Sequence, residues 1–191
     1  MKTAQRNRVR IIGGQWRRRL LSFPDVEGLR PTADAVREKL FNWLGQDLPG
    51  WHCLDLFAGS GALGFEAASR GAARVVMVES NRAACIALRA NQTMLNVNNI
   101  ILECADGVKL LSQSAPLLTQ HKFDLVLIDP PFKLGLQAAV LAMLPPLLNP
   151  GAYVYVEHDG SLQLPDGWVV WREGRAGLAY FNLLQQAQYD G

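Results

Sequence analysis

Asp129-Pro130-Pro131-Phe132 closes a strongly apolar run, Phe123–Asp129, and brings together an acid, two rigid backbone positions and an aromatic face. That combination suits work on an exocyclic aromatic amine, whose lone pair is delocalised into its ring and is a poor nucleophile. Two acceptors gripping the N–H hydrogens favour a more pyramidal nitrogen with its lone pair aimed outward. The Asp129 carboxylate and the Pro130 carbonyl can supply them. Proline fixes φ and favours an extended path, so that carbonyl can face a pocket instead of pairing in a sheet. Phe132 offers a face on which a base can stack. Rate would come from orientation and from acceptors placed where nitrogen gains positive charge. The plainer alternative is a Pro-Pro turn with a capping Asp and a core Phe.

A second constellation lies upstream. Asp55-Leu56-Phe57-Ala58-Gly59-Ser60-Gly61-Ala62-Leu63-Gly64 carries glycines in the G-x-G-x-x-G pattern at a strand-to-helix turn. Such glycines let backbone approach a ligand and turn tightly into a helix. Glu79 stands 20 residues after Gly59, at the end of the next strand, where a carboxylate can accept from ribose hydroxyls. Together these residues predict an adenosine-containing cofactor. Asp55 favours S-adenosylmethionine: a carboxylate there suits a cationic amino-acid group and would repel a dinucleotide pyrophosphate. Asp55 could instead be a cap or loop-ordering acid. Asp106 is placed either to accept from an adenine amino group or to cap the helix starting near Gly107.

The elements needed to position these residues follow from periodicity. Apolar runs at His52–Phe57, Arg74–Glu79, Asn99–Cys104, Phe123–Asp129 and Ala152–Glu157 read as strands. Helices are predicted over Ala62–Arg70, Arg82–Leu95, Gly107–Leu118 and Gln137–Leu148, the last ended by Asn149-Pro150-Gly151. Strand–helix alternation implies a buried, mostly parallel sheet in an α/β fold. Trp168–Arg172 and Leu178–Leu184 have no helix between them and predict an antiparallel pair at one sheet edge. Upstream, two short runs around Gly13-Gly14 predict a hairpin, and a helix is expected over Ala33–Leu44. The boundary falls near residue 50: residues 1–50 form a basic arm, hairpin and helix, and 51–191 the α/β domain.

Charge is unevenly spread. The net charge is +2, yet residues 1–22 hold Lys2, Arg6, Arg8, Arg10, Arg17, Arg18 and Arg19 with no acid. The other 169 residues carry 12 basic and 17 acidic side chains. A basic segment on a slightly acidic body predicts polyanion binding, with Arg6, Arg8, Arg10, Arg17, Arg18 and Arg19 as RNA-binding candidates; the alternative is a solvated tail. Cys53, Cys85 and Cys104 are dispersed, which argues for a reducing compartment, and the three histidines are scattered, so no metal site is expected. No signal-peptide core or membrane span is evident, and a cytoplasmic protein is expected.

Asp55–Gly64, Glu79, Asp106 and Asp129–Phe132 together resemble class I S-adenosylmethionine-dependent methyltransferases acting on amino groups. Arg8–Gly14 with Arg17–Leu20, Arg30-Pro31-Thr32, Val36-Arg37-Glu38 and Phe41-Asn42-Trp43-Leu44 are more specific. They resemble the bacterial 16S ribosomal RNA guanine-N2 methyltransferases (RsmD-type) over about residues 8–187. The resemblance implies a Rossmann-like fold with a seven-stranded sheet, and S-adenosylmethionine as cofactor with S-adenosylhomocysteine as product. It also implies methylation of a guanine, 966 in the family, of 16S RNA in an assembled or assembling small subunit, by a monomer. In that reading Asp129, Pro130 and Phe132 are catalytic, and Asp55, Gly59, Gly61, Glu79 and Asp106 bind the cofactor. A DNA adenine-N6 methyltransferase, a non-catalytic ribosome-assembly factor and an NAD-dependent dehydrogenase are the rival readings. The short chain leaves little room for a DNA-recognition domain, Asp129–Phe132 argues against a non-catalytic factor, and Asp55 argues against NAD.

Overall fold

The computed structural model describes residues 7–130 and 135–187. In chain order the elements are β1 (Arg8–Arg10), β2 (Leu20–Ser22), α1 (Asp34–Trp43), β3 (His52–Asp55), α2 (Ala62–Ser69), β4 (Arg74–Val78), α3 (Arg82–Leu95) and β5 (Ile100–Glu103). There follow α4 (Gly107–Ser112), α5 (Pro116–Thr119), β6 (Phe123–Ile128), α6 (Gln137–Met143), a 3-10 turn at Pro145–Leu147, β7 (Leu148–His158), β8 (Trp168–Ala176) and β9 (Ala179–Gln186). Seven strands form one sheet in the order β5-β4-β3-β6-β7-β9-β8. The first five of these are parallel, and β9 and β8 add antiparallel at the edge beside β7. This is the expected Rossmann-like α/β architecture.

Alternation within the strands sorts side chains onto two apolar faces. Cys53, Val75, Met77, Leu125, Leu127 and Tyr155 share a core with α1, α2 and the β1–β2 hairpin. Leu54, Val76, Val126, Ile128, Val154 and Val156 share the other with α4 to α6. Strands covered on both faces need apolar residues at every position, hence the continuous apolar runs in the sequence.

Three expectations need correction. The helix expected over Gly107–Leu118 is two short helices, because Ser114 takes a positive φ of 48° and Pro116 opens a new first turn. The helix expected to reach Leu148 ends at Met143, ahead of Pro145-Pro146, whose nitrogens have no hydrogen to donate; Asn149-Pro150-Gly151 lies within β7. The hairpin is real but does not turn at Gly13-Gly14, since its strands pair Arg8 with Ser22 and Arg10 with Leu20 across a longer loop. That loop presses on the end of α2. Gln15 N donates to the Ser69 carbonyl at 2.7 Å, and a Cβ on Gly14 would lie 1.8 Å from that oxygen. The glycines serve close approach.

The first segment is built into the body. Val9, Ile11 and Leu21 are buried in the same core as α2. Glu66, fully buried on α2, accepts from Ile12 N at 2.8 Å and Gly13 N at 2.7 Å. The same carboxylate pairs with Arg37 of α1 at 3.2 Å and Arg70 at 2.8 Å. Arg37 is itself fully buried and also binds Asp34 at 2.6 Å, which in turn pairs with Arg10 at 2.6 Å.

Removing one partner from a buried ion pair strands the others. Glu66→Ala is expected to cost about 3–5 kcal/mol of stability, because two buried guanidiniums and two amides lose their acceptor. Urea denaturation checks this, and an unchanged midpoint would contradict the role assigned to Glu66.

Candidate active site

The sheet register sets an acidic row. Asp55 lies opposite Met77 and Leu127, and Leu127 opposite Tyr155. Glu79, Asp129 and Glu157 each follow two residues after those last three partners. Four acids therefore gather at the carboxyl end of adjacent parallel strands, where open α/β sheets bind ligands. Among the described residues no group of three or more His, Cys, Asp or Glu side chains is arranged to hold a metal ion.

Gly59 has φ +52° and Gly61 φ +81°, both in the left-handed region, and Gly61 caps α2. Gly64 serves packing, since a Cβ there would meet Asp55 Oδ2 and Met77 Sδ at 2.9 Å. The buried Asp55 carboxylate accepts from Gly64 N at 2.9 Å, so it does order the loop. Burial pushes its carboxyl up to about 7, and Glu79 nearby adds to the shift; the Gly64 amide opposes it. Glu79 ties the loop to the next strand: Oε2 accepts from Gly59 N at 2.7 Å and Oε1 from Asn81 N at 2.6 Å. Beside it lies a cavity of ≈ 390 Å³ lined by Ser80, Arg82, Cys85, Ile86, Arg89 and Cys104. Asp106 caps α4, accepting from Lys109 N at 3.0 Å, and its side chain is exposed. Two ligand candidates thus also perform the structural roles open to them from sequence.

Asp129 follows β6 and Pro130 is buried beside it; Phe132 lies outside the described residues. Asp129 Oδ2 accepts from the Thr32 hydroxyl at 3.4 Å. Burial, with the charges of Glu157 and Asp55, holds the Asp129 carboxyl well above the usual carboxylate range. Glu157 is raised by burial as well, against the Tyr155 hydroxyl that donates to its Oε1 at 2.6 Å. Arg8, Arg10, Arg17, Arg18 and Arg19 are exposed on the hairpin and its loop, whereas Arg6 lies outside the described residues.

Thr32, Tyr155 and Glu157 are absent from the residues singled out for chemistry. Glu157 had a readable signal, being an acid at the end of an apolar strand like Asp129. Thr32 sits in the Arg30-Pro31-Thr32 motif, but its reach across 97 residues to Asp129 is a tertiary fact.

The family described as Conserved hypothetical protein 95 matches residues 9–185. The Ribosomal RNA small subunit methyltransferase D of Escherichia coli strain K12 is 42% identical over 183 residues, spanning 93% of this chain and 90% of that protein. Its namesake in Haemophilus influenzae is 39% identical, spanning 93% of each. The solved structure of yhhF from Escherichia coli superposes with a TM-score of 0.83 at 38% identity, covering 94% of this chain and 98% of that one.

A raised carboxyl gives a signed pH effect. Between about 4 and 7 the unfolded Asp55 has lost its proton while the folded one keeps it. The folded ligand-free state therefore binds more protons, and this contribution to stability falls as pH rises through that window. Asp129 and Glu157 act in the same direction. Asp55→Asn keeps an acceptor for Gly64 N without the charge. Denaturation midpoints should show the variant gaining on wild type from pH 5 to pH 8, and parallel pH profiles would contradict the assignment.

Proposed function

The chain belongs to the Conserved hypothetical protein 95 family, and from that premise we propose that it transfers a methyl group from S-adenosylmethionine to the exocyclic N2 of a guanine in 16S ribosomal RNA. Names of its relatives support the RNA of the small subunit as substrate class. Guanine 966, within an assembled or assembling subunit, is the finer target we assign from the resemblance. The observation that carries the chemistry is Asp129, set within the acidic row, bonded by Thr32 and followed directly by Pro130.

The residues present fit the proposed cofactor. Burial raises the proton affinity of Asp55, Asp129 and Glu157, neighbouring acids add to it at Asp55 and Asp129, and a cationic ligand would favour their charged forms. Gly59 and Gly61 give the loop its tight path, Glu79 faces the ribose in this reading, and Asp106 the adenine amine. Bound there, the cofactor supplies an electrophilic methyl carbon on sulfur. Asp129 and the Pro130 carbonyl grip the guanine amine and orient its lone pair, and Phe132 gives the base a stacking surface. The hairpin arginines neutralise RNA phosphates.

The DNA adenine reading has no specific observation in its favour. Labelled methyl transfer to ribosomal subunits against plasmid DNA decides between them, and transfer to DNA alone would overturn the proposal.

Asp129→Ala should lower single-turnover methyl transfer at least about 100-fold, roughly 2.7 kcal/mol. Binding of S-adenosylhomocysteine by calorimetry should change little. Asp129→Asn keeps an acceptor oxygen and should retain more activity than Ala. Ala at wild-type speed would refute the amine grip.

RNA affinity should fall steeply with salt. Replacing Arg17, Arg18 and Arg19 should flatten that slope by about one unit per lost phosphate contact. An unchanged slope would remove the hairpin from the RNA interface.

A further inference from the structure

Two carboxylates and one hydroxyl meet where the mechanism above uses a single acid. Thr32 Oγ1 donates to Asp129 Oδ2 at 3.4 Å, and Glu157 stands at the end of the neighbouring parallel strand. Two carboxylates at the ends of adjacent strands resist carrying two negative charges. Sharing a single proton relieves that repulsion, while Thr32 donates to one Asp129 oxygen and leaves the other free to hold it. The Tyr155 hydroxyl donates to Glu157 Oε1 at 2.6 Å, which favours the negative charge on Glu157. Thr32 itself is held from behind, because the buried Arg37 Nε donates to its carbonyl at 3.1 Å.

We propose that Thr32 and Glu157 are positioning residues that act through Asp129, Thr32 aiming its carboxylate and Glu157 sharing with it the proton that the target amine releases. This rests on the methyl-transfer reading. The amine nitrogen forms its bond to the methyl carbon as the carbon–sulfur bond breaks, with that electron pair left on sulfur. The nitrogen, now positive, gives one proton to Asp129. The positive charge of the bound cofactor would favour the unprotonated pair beforehand, so this proton becomes the one that Asp129 and Glu157 share, and it returns to solvent when the next cationic cofactor binds. The groups facing Asp129 are Glu157 and Tyr155 from β7, Asp55 from β3 and Thr32 ahead of α1; Glu79 reaches it only through Asp55. Among the described groups named here no cation faces it, since Arg37 meets only the Thr32 backbone on that side.

The two residues should move Asp129 in opposite directions, which mere structural support would not do. Glu157→Gln removes a neighbouring negative charge, so Asp129 should titrate lower. Thr32→Val removes a donor to the carboxylate, so Asp129 should titrate higher, and Thr32→Ser should restore the wild-type value. Carbon-13 carboxyl NMR on the ligand-free protein reads this without any activity. In single-turnover assays the acidic limb of the pH–rate profile should shift the same way. Glu157→Gln and Thr32→Val should each slow methyl transfer by about tenfold or more, with S-adenosylhomocysteine binding nearly unchanged. Unshifted Asp129 titration in both variants, with the fold intact by circular dichroism, overturns the inference even if ribosomal RNA is methylated. Shifted titration in the variants, where the wild type methylates no ribosomal RNA, overturns the methyl-transfer reading and the proton-sharing step, and supports the tuning of Asp129 by Thr32 and Glu157. Rates that fall without a shift in the acidic limb overturn the proton-sharing step.

Discussion

The structure is organised around one buried carboxylate. Glu66 sits, fully buried, on a helix whose other residues are small or apolar. A lone buried carboxylate is costly unless hydrogen bonds and countercharge surround it. Glu66 gathers two amides of the first segment and the guanidiniums of Arg37 and Arg70. Each contact fixes a different element: the hairpin loop, α1, and the end of α2, where Arg70 also binds the Gln46 carbonyl at 3.0 Å. Because α2 begins at Gly61, the helix that carries this hub is the one the glycine loop feeds. Glycine loop and N-terminal segment are fixed to the same rod.

The acidic row is the opposite case, charge gathered without described countercharge. Asp55, Asp129 and Glu157 are all pushed toward holding protons. A fold that merely needed stability would have no use for such a cluster. It makes sense as the lining of a site for a positively charged ligand, where the attraction left unsatisfied in the free protein becomes binding energy. Asp55 and Glu79 also bind backbone amides of the glycine loop, so the carboxylates that would meet the ligand already hold the loop in its left-handed turns.

Most of this architecture was legible because its causes are local. Alternating apolar strands and helices specify the parallel sheet, and Gly59, Gly61 and Gly64 mark the turn. Where reading failed, the deciding force came from elsewhere in the chain. Gly13-Gly14 looks like a hairpin turn by composition, but the glycines are there because the α2 carbonyl at Ser69 comes too close for a side chain. Nothing in the sequence marks Glu66 within Ala62–Ser69, and only packing shows that all eight helix residues are buried. Thr32 carried no chemical signal until the fold brought it to Asp129. Asp129 itself was legible because the apolar strand that precedes it leaves no solvent reason for an acid there.

The hub and the row are joined through Arg37, and this gives the basic segment a meaning that charge alone does not. One face of that guanidinium neutralises Glu66, which holds the hairpin; its Nε holds the carbonyl of Thr32, whose hydroxyl reaches Asp129. Arg10, on the hairpin, reaches the same helix through Asp34. A solvated tail could attract phosphates equally well, but it could not fix their distance from Asp129. In the proposed reading the target base must arrive within hydrogen-bond reach of one carboxylate. The hairpin therefore has to be a rigid part of the core, and the buried ion pairs supply that rigidity. Arg17, Arg18 and Arg19 can then be replaced at the surface without disturbing the fold, whereas the residues beneath them cannot.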